Sequence, residues 1–120
     1  HIQPSGAYAA NLSGLSEQDP ARIVFLTDGA PRRVRFGRQE IILRRTTPRN
    51  MATAGRISGT VIQAFRYIGK TRIASAHQRL LKRKLNDAEK KQLLKDRHFA
   101  PGWMRPLFDE IAREETTPHV

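Results

Sequence analysis

The spacing of apolar residues changes once along the chain, near residue 57. Upstream of that point apolar side chains occur in short runs or at every second position, which is the spacing of strands. Downstream they recur every three or four residues, which is the spacing of amphipathic helices. The sequence therefore predicts a strand-rich half, about residues 1–50, and a helical half, about residues 57–115.

The strand-rich half contains three predicted strands. A run of strand formers at residues 23–27 is followed by an Asp-Gly pair, a strong turn signal, so we expect this strand to lead into a hairpin. Within residues 32–36, Arg33 and Arg35 alternate with Val34 and Phe36, so the two arginines are predicted on one face and the two apolar residues on the other. Gly37 begins a turn towards a return strand at residues 40–45. These features predict a small antiparallel sheet.

Helical spacing predicts four helices in the second half and a short one before the strands. The short helix begins at Ser5, a natural N-cap. Asn86 with Glu89 three residues later resembles a capping box at the start of the third bundle helix. The four bundle helices are predicted at residues 57–68, at about 71–85, from 86, and from about 103. The predicted fold class is α+β: about three antiparallel strands packed against about four C-terminal helices, with a short N-terminal helix.

Composition narrows the class of protein. The 120 residues, of which 38% are hydrophobic and 28% charged, fit one folded domain, residues 1–120. No stretch approaches the roughly 20 apolar residues that span a bilayer. The chain has no cysteine, which excludes disulfides, thiol nucleophiles and cysteine-based metal sites. We expect a cytoplasmic protein with no membrane contact.

The net charge of +11 lies in two blocks and indicates a polyanionic or acidic partner. Residues 32–50 hold seven arginines and one glutamate, a formal +6, and residues 79–97 hold eight basic and three acidic residues, a formal +5. Each block is either a contact for phosphate or a solvated surface. The candidate nucleic-acid-binding residues are Arg32, Arg33, Arg35, Arg38, Arg44, Arg45, Arg49, Lys82, Arg83 and Lys84.

Residue patterns for catalysis are sparse. The four histidines are scattered, with no pair at metal-binding spacing, and no phosphate-binding glycine loop occurs. His77 is interpreted as a partly buried or capping side chain, and Trp103, Met104 and Phe108 as core rather than a partner patch. We expect no catalytic residue, no metal and no cofactor. The polar residues Asn11, Gln18, Gln63 and Tyr67 are either pocket-lining or at the edge of the core.

Three stretches together resemble a known family. Residues 5–45, the segment "SGTVIQAFRYIGK" and the segment "FAPGWMRPLFDEIA" resemble the C-terminal portion of the AbiEi-like antitoxins of bacterial type IV toxin–antitoxin systems. The resemblance implies a two-domain regulator with an upstream winged helix-turn-helix that this sequence lacks. It also implies a functional link to a nucleotidyltransferase-type toxin.

Two functions remain open. The first is a non-enzymatic antitoxin and transcriptional-regulator domain whose basic face assists DNA binding through non-specific phosphate contacts. The second is a protein-interaction module that binds an acidic protein and no nucleic acid. A third possibility, a nuclease or transferase, would need folding to bring together distant carboxylates such as Asp28, Glu40 and Glu110.

Overall fold

The computed structural model describes residues 1–113 and confirms the α+β class. Within these residues the sheet has four strands rather than three, namely β1 (Ile2–Ser5), β2 (Arg22–Thr27), β3 (Arg32–Phe36) and β4 (Gln39–Arg45). The described helices are α1 (Gly6–Leu12), α2 (Ile57–Ile68), α3 (Ser75–Lys84), α4 (Asp87–Asp96) and α5 (Arg105–Ala112). The predicted helical positions 114–115 lie outside the described residues.

The sheet is mixed, so the prediction of an antiparallel sheet was wrong. Its order is β1-β2-β4-β3, with β2 parallel to β4 and the other two pairs antiparallel. The Asp-Gly pair after β2 therefore does not close a hairpin, because β4 lies between β2 and β3. The predicted turn at Gly37 does join an antiparallel pair, β3 and β4.

Hydrophobicity explains the strand order. The apolar run of β4, residues 41–43, lies between two neighbours, whereas the arginine-rich β3 lies at the edge. Charged side chains on an edge strand oppose unwanted pairing with another chain.

The strand β1 was not predicted. It has only four residues and includes Pro4, which has no N–H to donate and is tolerated at a sheet edge. Ser5 occupies the N-cap position of α1, as predicted, but its hydroxyl donates to the Val24 carbonyl at 2.9 Å instead of accepting from the helix. Ser5 thus ties α1 to the sheet.

The bundle helices follow the predicted order. The bounds of α2 agree with the prediction, and Gly69 follows it with a φ of +93°. Helix α3 begins later than predicted, because Lys70–Arg72 form a separate 3₁₀ turn and His77 Nδ1 accepts from the Ala74 N–H at 2.9 Å. The capping interpretation of His77 is confirmed.

Most of the buried apolar side chains belong to the bundle. The rings of Phe65 and Phe108 lie 6.5 Å apart in a core that also includes Leu81, Leu93 and Met104. Trp103 packs against this core, so the prediction of a core role for it, Met104 and Phe108 is confirmed. A smaller cluster of Ala9, Ala10 and Ala64 lets α1 lie close to α2.

Candidate nucleic-acid interface

The strand register assigns each arginine to one face of the sheet, because cross-strand partners point to the same side. Arg22 and Arg35 both pair with Glu40, and Arg33 pairs with Ile42 two residues further along β4. Arg44 follows after two more residues, about 7 Å further on. We call this side the arginine face; its arginines are Arg22, Arg33, Arg35 and Arg44.

One carboxylate lies among three of these guanidinium groups. Glu40 is 3.5 Å from Arg22, 3.8 Å from Arg33 and 3.9 Å from Arg35. The glutamate side chain is 19% exposed, whereas the arginine side chains are 65–74% exposed. Three positive charges around one negative charge leave a formal +2 at this point, with the guanidinium groups accessible to solvent.

A groove of about 300 Å³ continues the arginine face towards β1. Val24 and Leu26 of β2 line it from the sheet, and Ser5 and Gly6 line it where β1 meets α1. Helix α2 lies over the same face, since its Gly59 is in close contact with Gln3 of β1. The groove therefore lies between the sheet and α2.

Arg44 of the arginine face, Arg66 and a tyrosine line the groove. Gln63, Arg66 and Tyr67 extend from α2 at i, i+3 and i+4, so they share one side of the helix, and Arg44 lies opposite on β4. Within residues 1–113, neither Arg44 nor Arg66 has an acidic side chain within 4.0 Å. Tyr67 is 54% exposed. Among the described residues, the groove thus combines two cations that have no acidic partner with an accessible aromatic ring.

The arginine block of the sequence is divided by the fold. Arg32 and Arg45 lie on the opposite face, which also carries the partly exposed Val34 and Phe36. Arg38 lies in the turn after β3, and Arg49 lies in the 3₁₀ turn Pro48–Met51. Of the seven predicted arginines, the structure brings Arg33, Arg35 and Arg44 onto one face and places the other four elsewhere.

The basic residues of α3 have structural contacts. Lys82 is only 13% exposed and lies 3.7 Å from Glu110 of α5. Lys84 Nζ donates to the Leu12 carbonyl at 3.0 Å, which links α3 to the end of α1. Arg83 is exposed. Two of the three α3 residues predicted to bind nucleic acid, Lys82 and Lys84, therefore connect α3 to other helices.

The three carboxylates considered for a catalytic cluster lie apart from one another. Asp28 lies 3.3 Å from the backbone nitrogen of His1, Glu40 lies among the arginines, and Glu110 contacts Lys82 and Arg113. No group of three or more His, Asp or Glu side chains within residues 1–113 is arranged to hold a metal ion. His119 lies outside the described residues. No helix in the described range is long and apolar enough to cross a bilayer.

Sequence reasoning missed Arg22 and Arg66. Arg22 lies outside the arginine-rich block and reaches Glu40 only because β2 pairs with β4. Arg66 lies on the exposed side of α2, between the predicted pocket candidates Gln63 and Tyr67. The spacing of these three residues along one side of a helix was the signal that could have identified Arg66.

Comparison with known proteins gives a family without an assigned activity. No curated protein and no solved structure matches the chain. The model of one family, described as a family of unknown function (DUF6088), matches residues 1–93, which include the whole sheet, the groove and most of the helices. Because this match covers more than half of the sequence, the chain belongs to the family DUF6088.

Proposed function

We propose that this chain is a non-enzymatic domain of an antitoxin-type transcriptional regulator whose arginine face contacts the phosphates of DNA bound by the intact protein. The observation that supports the proposal is that three exposed guanidinium groups surround the one carboxylate of Glu40. Two more arginines line the adjacent groove. The antitoxin part rests on the sequence resemblance, and such a regulator would act in the cytoplasm beside a nucleotidyltransferase-type toxin.

The geometry of the arginine face suits phosphate. A guanidinium group is a planar fork that donates two parallel hydrogen bonds to phosphate oxygens. The distances from Glu40, 3.5–3.9 Å, exceed those of short charge-assisted hydrogen bonds, so the arginines remain available to an incoming anion.

Contacts to phosphate give an affinity for DNA that depends strongly on salt concentration and only weakly on the base sequence. Each phosphate neutralised releases counterions, and log K falls by about 0.9 per contact for each tenfold rise in salt. Contacts of this kind position a protein on DNA, and base-edge contacts supply sequence specificity. In the proposed regulator, specificity would come from another domain.

A salt titration tests the proposal. Fluorescence anisotropy would follow binding of the chain to a labelled random-sequence duplex at about 50 and 200 mM salt. The test variant is Arg33→Gln/Arg35→Gln. The matched control is Lys91→Gln/Lys95→Gln, which removes the same charge from exposed positions on α4.

The two variants separate a local contact from net charge. We expect the arginine variant to lower the salt slope by about two units and the lysine variant to leave it nearly unchanged. Equal losses in both variants would contradict a phosphate contact at the arginine face. Absence of binding by the parent chain at low salt would favour an acidic protein partner instead.

A further inference from the structure

The groove between the sheet and α2 combines features that a duplex backbone alone does not require. Strand β2 contributes apolar side chains, Val24 and Leu26, while Arg44 of β4 and Arg66 of α2 bring positive charge from two different elements. A cleft with one sign of charge and low-dielectric walls concentrates the electric field and attracts an anion. The groove therefore suits a ligand that has both an anionic part and an apolar part.

Tyr67 and Gln63 suit a nucleobase. A phenol ring exposed to the extent of Tyr67 offers a flat surface, and bases without sequence preference stack on such rings. The Gln63 amide lies one helical turn from Tyr67 and carries both a hydrogen-bond donor and an acceptor, as the edge of a base does. Bases in a duplex are stacked on each other, so only an unpaired base has a free face for Tyr67.

We propose that this groove binds one unpaired nucleotide, with its phosphate on Arg44 and Arg66 and its base on the Tyr67 ring. This inference rests on the proposed function and deepens it, since it adds single-stranded nucleic acid to the duplex contacts of the arginine face. The same nucleotide chemistry is present in a single strand and in a free nucleotide, and the experiment distinguishes these two sources.

The test compares four probes by the same binding assay. They are a single-stranded oligonucleotide, the duplex formed from it, adenosine 5′-monophosphate and adenosine. The variants are Tyr67→Ala, which removes the ring, and Tyr67→Phe, which keeps it. Phe36→Ala is the matched control, because Phe36 is an exposed aromatic residue, 66% accessible, on the opposite face of the sheet. Thermal unfolding of each variant checks that the fold is retained.

We expect Tyr67→Ala to weaken single-strand binding at least about fivefold, and we expect Tyr67→Phe and Phe36→Ala to change it little. Duplex binding should be nearly the same in all three variants. Adenosine 5′-monophosphate should bind more tightly than adenosine, since only the former carries the phosphate. If the oligonucleotide binds no more tightly than the monophosphate, the free nucleotide is the source; tighter binding identifies the strand.

The outcomes separate this inference from the proposed function. Duplex binding with single-strand binding that is insensitive to Tyr67→Ala would overturn the inference and leave the proposed function intact. Absence of duplex binding, together with single-strand binding that depends on Tyr67, would support the groove and overturn the duplex contacts. Absence of binding to all four probes would overturn both.

Discussion

At the scale of single residues, Gly59 shows how closely α2 lies on the sheet. A side-chain carbon built at this position would overlap Gln3 Oε1 and lie 2.6 Å from the Thr53 carbonyl oxygen. Gln3 is itself buried, and its side-chain nitrogen donates to the Pro4 carbonyl at 2.9 Å. Glycine is therefore required here by space, and its presence in the middle of a helix is otherwise unfavourable by about 1 kcal/mol relative to alanine.

We expect Gly59→Ala to lower the free energy of unfolding by about 1–3 kcal/mol, because the steric cost of an overpacked contact exceeds the gain in helix propensity. Urea unfolding followed by circular dichroism measures the change. Gly102→Ala is the matched control, since a side-chain carbon there would have no neighbour within 4 Å. A Gly59→Ala variant as stable as the parent would show that Gln3 and the Thr53 loop move aside easily.

Substitution of Glu40 is expected to strengthen DNA binding rather than weaken it. Its carboxylate competes with phosphate for Arg22, Arg33 and Arg35, and its Oε1 accepts no hydrogen bond within the described residues. Glu40→Gln should therefore raise the affinity for duplex DNA by about two- to eightfold at 0.1 M salt, as one unit of charge is freed at the interface. Asp87→Asn makes the same change in net charge on α4, and equal effects of the two substitutions would argue against a local contact.

At the scale of elements, α2 and α4 are joined by a buried polar contact. Arg56, the N-cap residue of α2, donates to Asp96 Oδ1 at 2.8 Å, and Gln92 donates to Asp96 Oδ2 at 2.8 Å. The Ser58 hydroxyl donates to the Gln92 carbonyl at 3.2 Å. Asp96 is only 2% exposed, so its two partners replace the water that it loses on folding.

We expect Asp96→Ala to lower the free energy of unfolding by about 1–3 kcal/mol, since it removes two charge-assisted hydrogen bonds and leaves Arg56 half-buried without its partner. Asp109→Ala is the control. Asp109 accepts two hydrogen bonds from Arg97 at 2.9 Å, but it is half-exposed, and a surface pair contributes at most about 1 kcal/mol. Similar losses in both variants would mean that burial does not strengthen the Arg56–Asp96 contact. Chemical denaturation gives both values.

Local patterns predicted the helices better than the sheet. The capping box of α4 is confirmed: Asn86 Oδ1 accepts from the Glu89 N–H at 2.8 Å, and Glu89 Oε1 accepts from the Asn86 N–H at 2.9 Å. Both partners lie three residues apart, so the sequence contains the whole signal. Strand pairing joins distant residues, and nothing local to residues 28–31 indicates that β4 will enter between β2 and β3.

The candidate site divides in the same way. Alternation in β3 correctly placed Arg33 and Arg35 together, because the period of a strand is local. Whether Arg44 or Arg45 shares their face depends on register, and the contribution of Arg66 depends on where α2 lies against the sheet. The sequence therefore could not predict that residues of the sheet and of α2 form one groove, although Gln63 and Tyr67 were named as pocket candidates.

At the scale of the whole molecule, the two basic blocks of the sequence have different surroundings. The strand block provides exposed guanidinium groups around a single carboxylate, and it lies next to a groove with further positive charge. In the helical block, Lys82 and Lys84 contact α5 and α1. Two blocks of similar formal charge, +6 and +5, thus differ in how available these side chains are to a polyanion.

A paired measurement of stability and affinity distinguishes the two blocks. We expect Lys82→Met/Lys84→Met to lower the free energy of unfolding by about 1–2 kcal/mol, because it removes an ion pair whose lysine is largely buried and a hydrogen bond between helices. Its affinity for duplex DNA should change by less than about twofold. Arg33→Gln/Arg35→Gln should do the reverse, with little loss of stability and an affinity about tenfold lower or more at 0.1 M salt.

The α3 variant Lys82→Met/Lys84→Met and the arginine variant Arg33→Gln/Arg35→Gln each lose two positive charges. An effect of net charge alone would therefore lower the affinity for duplex DNA equally in the two variants. The exposed pair Lys91→Gln/Lys95→Gln sets the size of that general effect without touching a contact between helices. If the α3 variant lost as much affinity as the arginine variant, the interface would extend over the bundle, and Arg83 would be the first residue to substitute next. If only the arginine variant loses affinity, the polyanion contacts the sheet, and the α3 lysines are part of the fold.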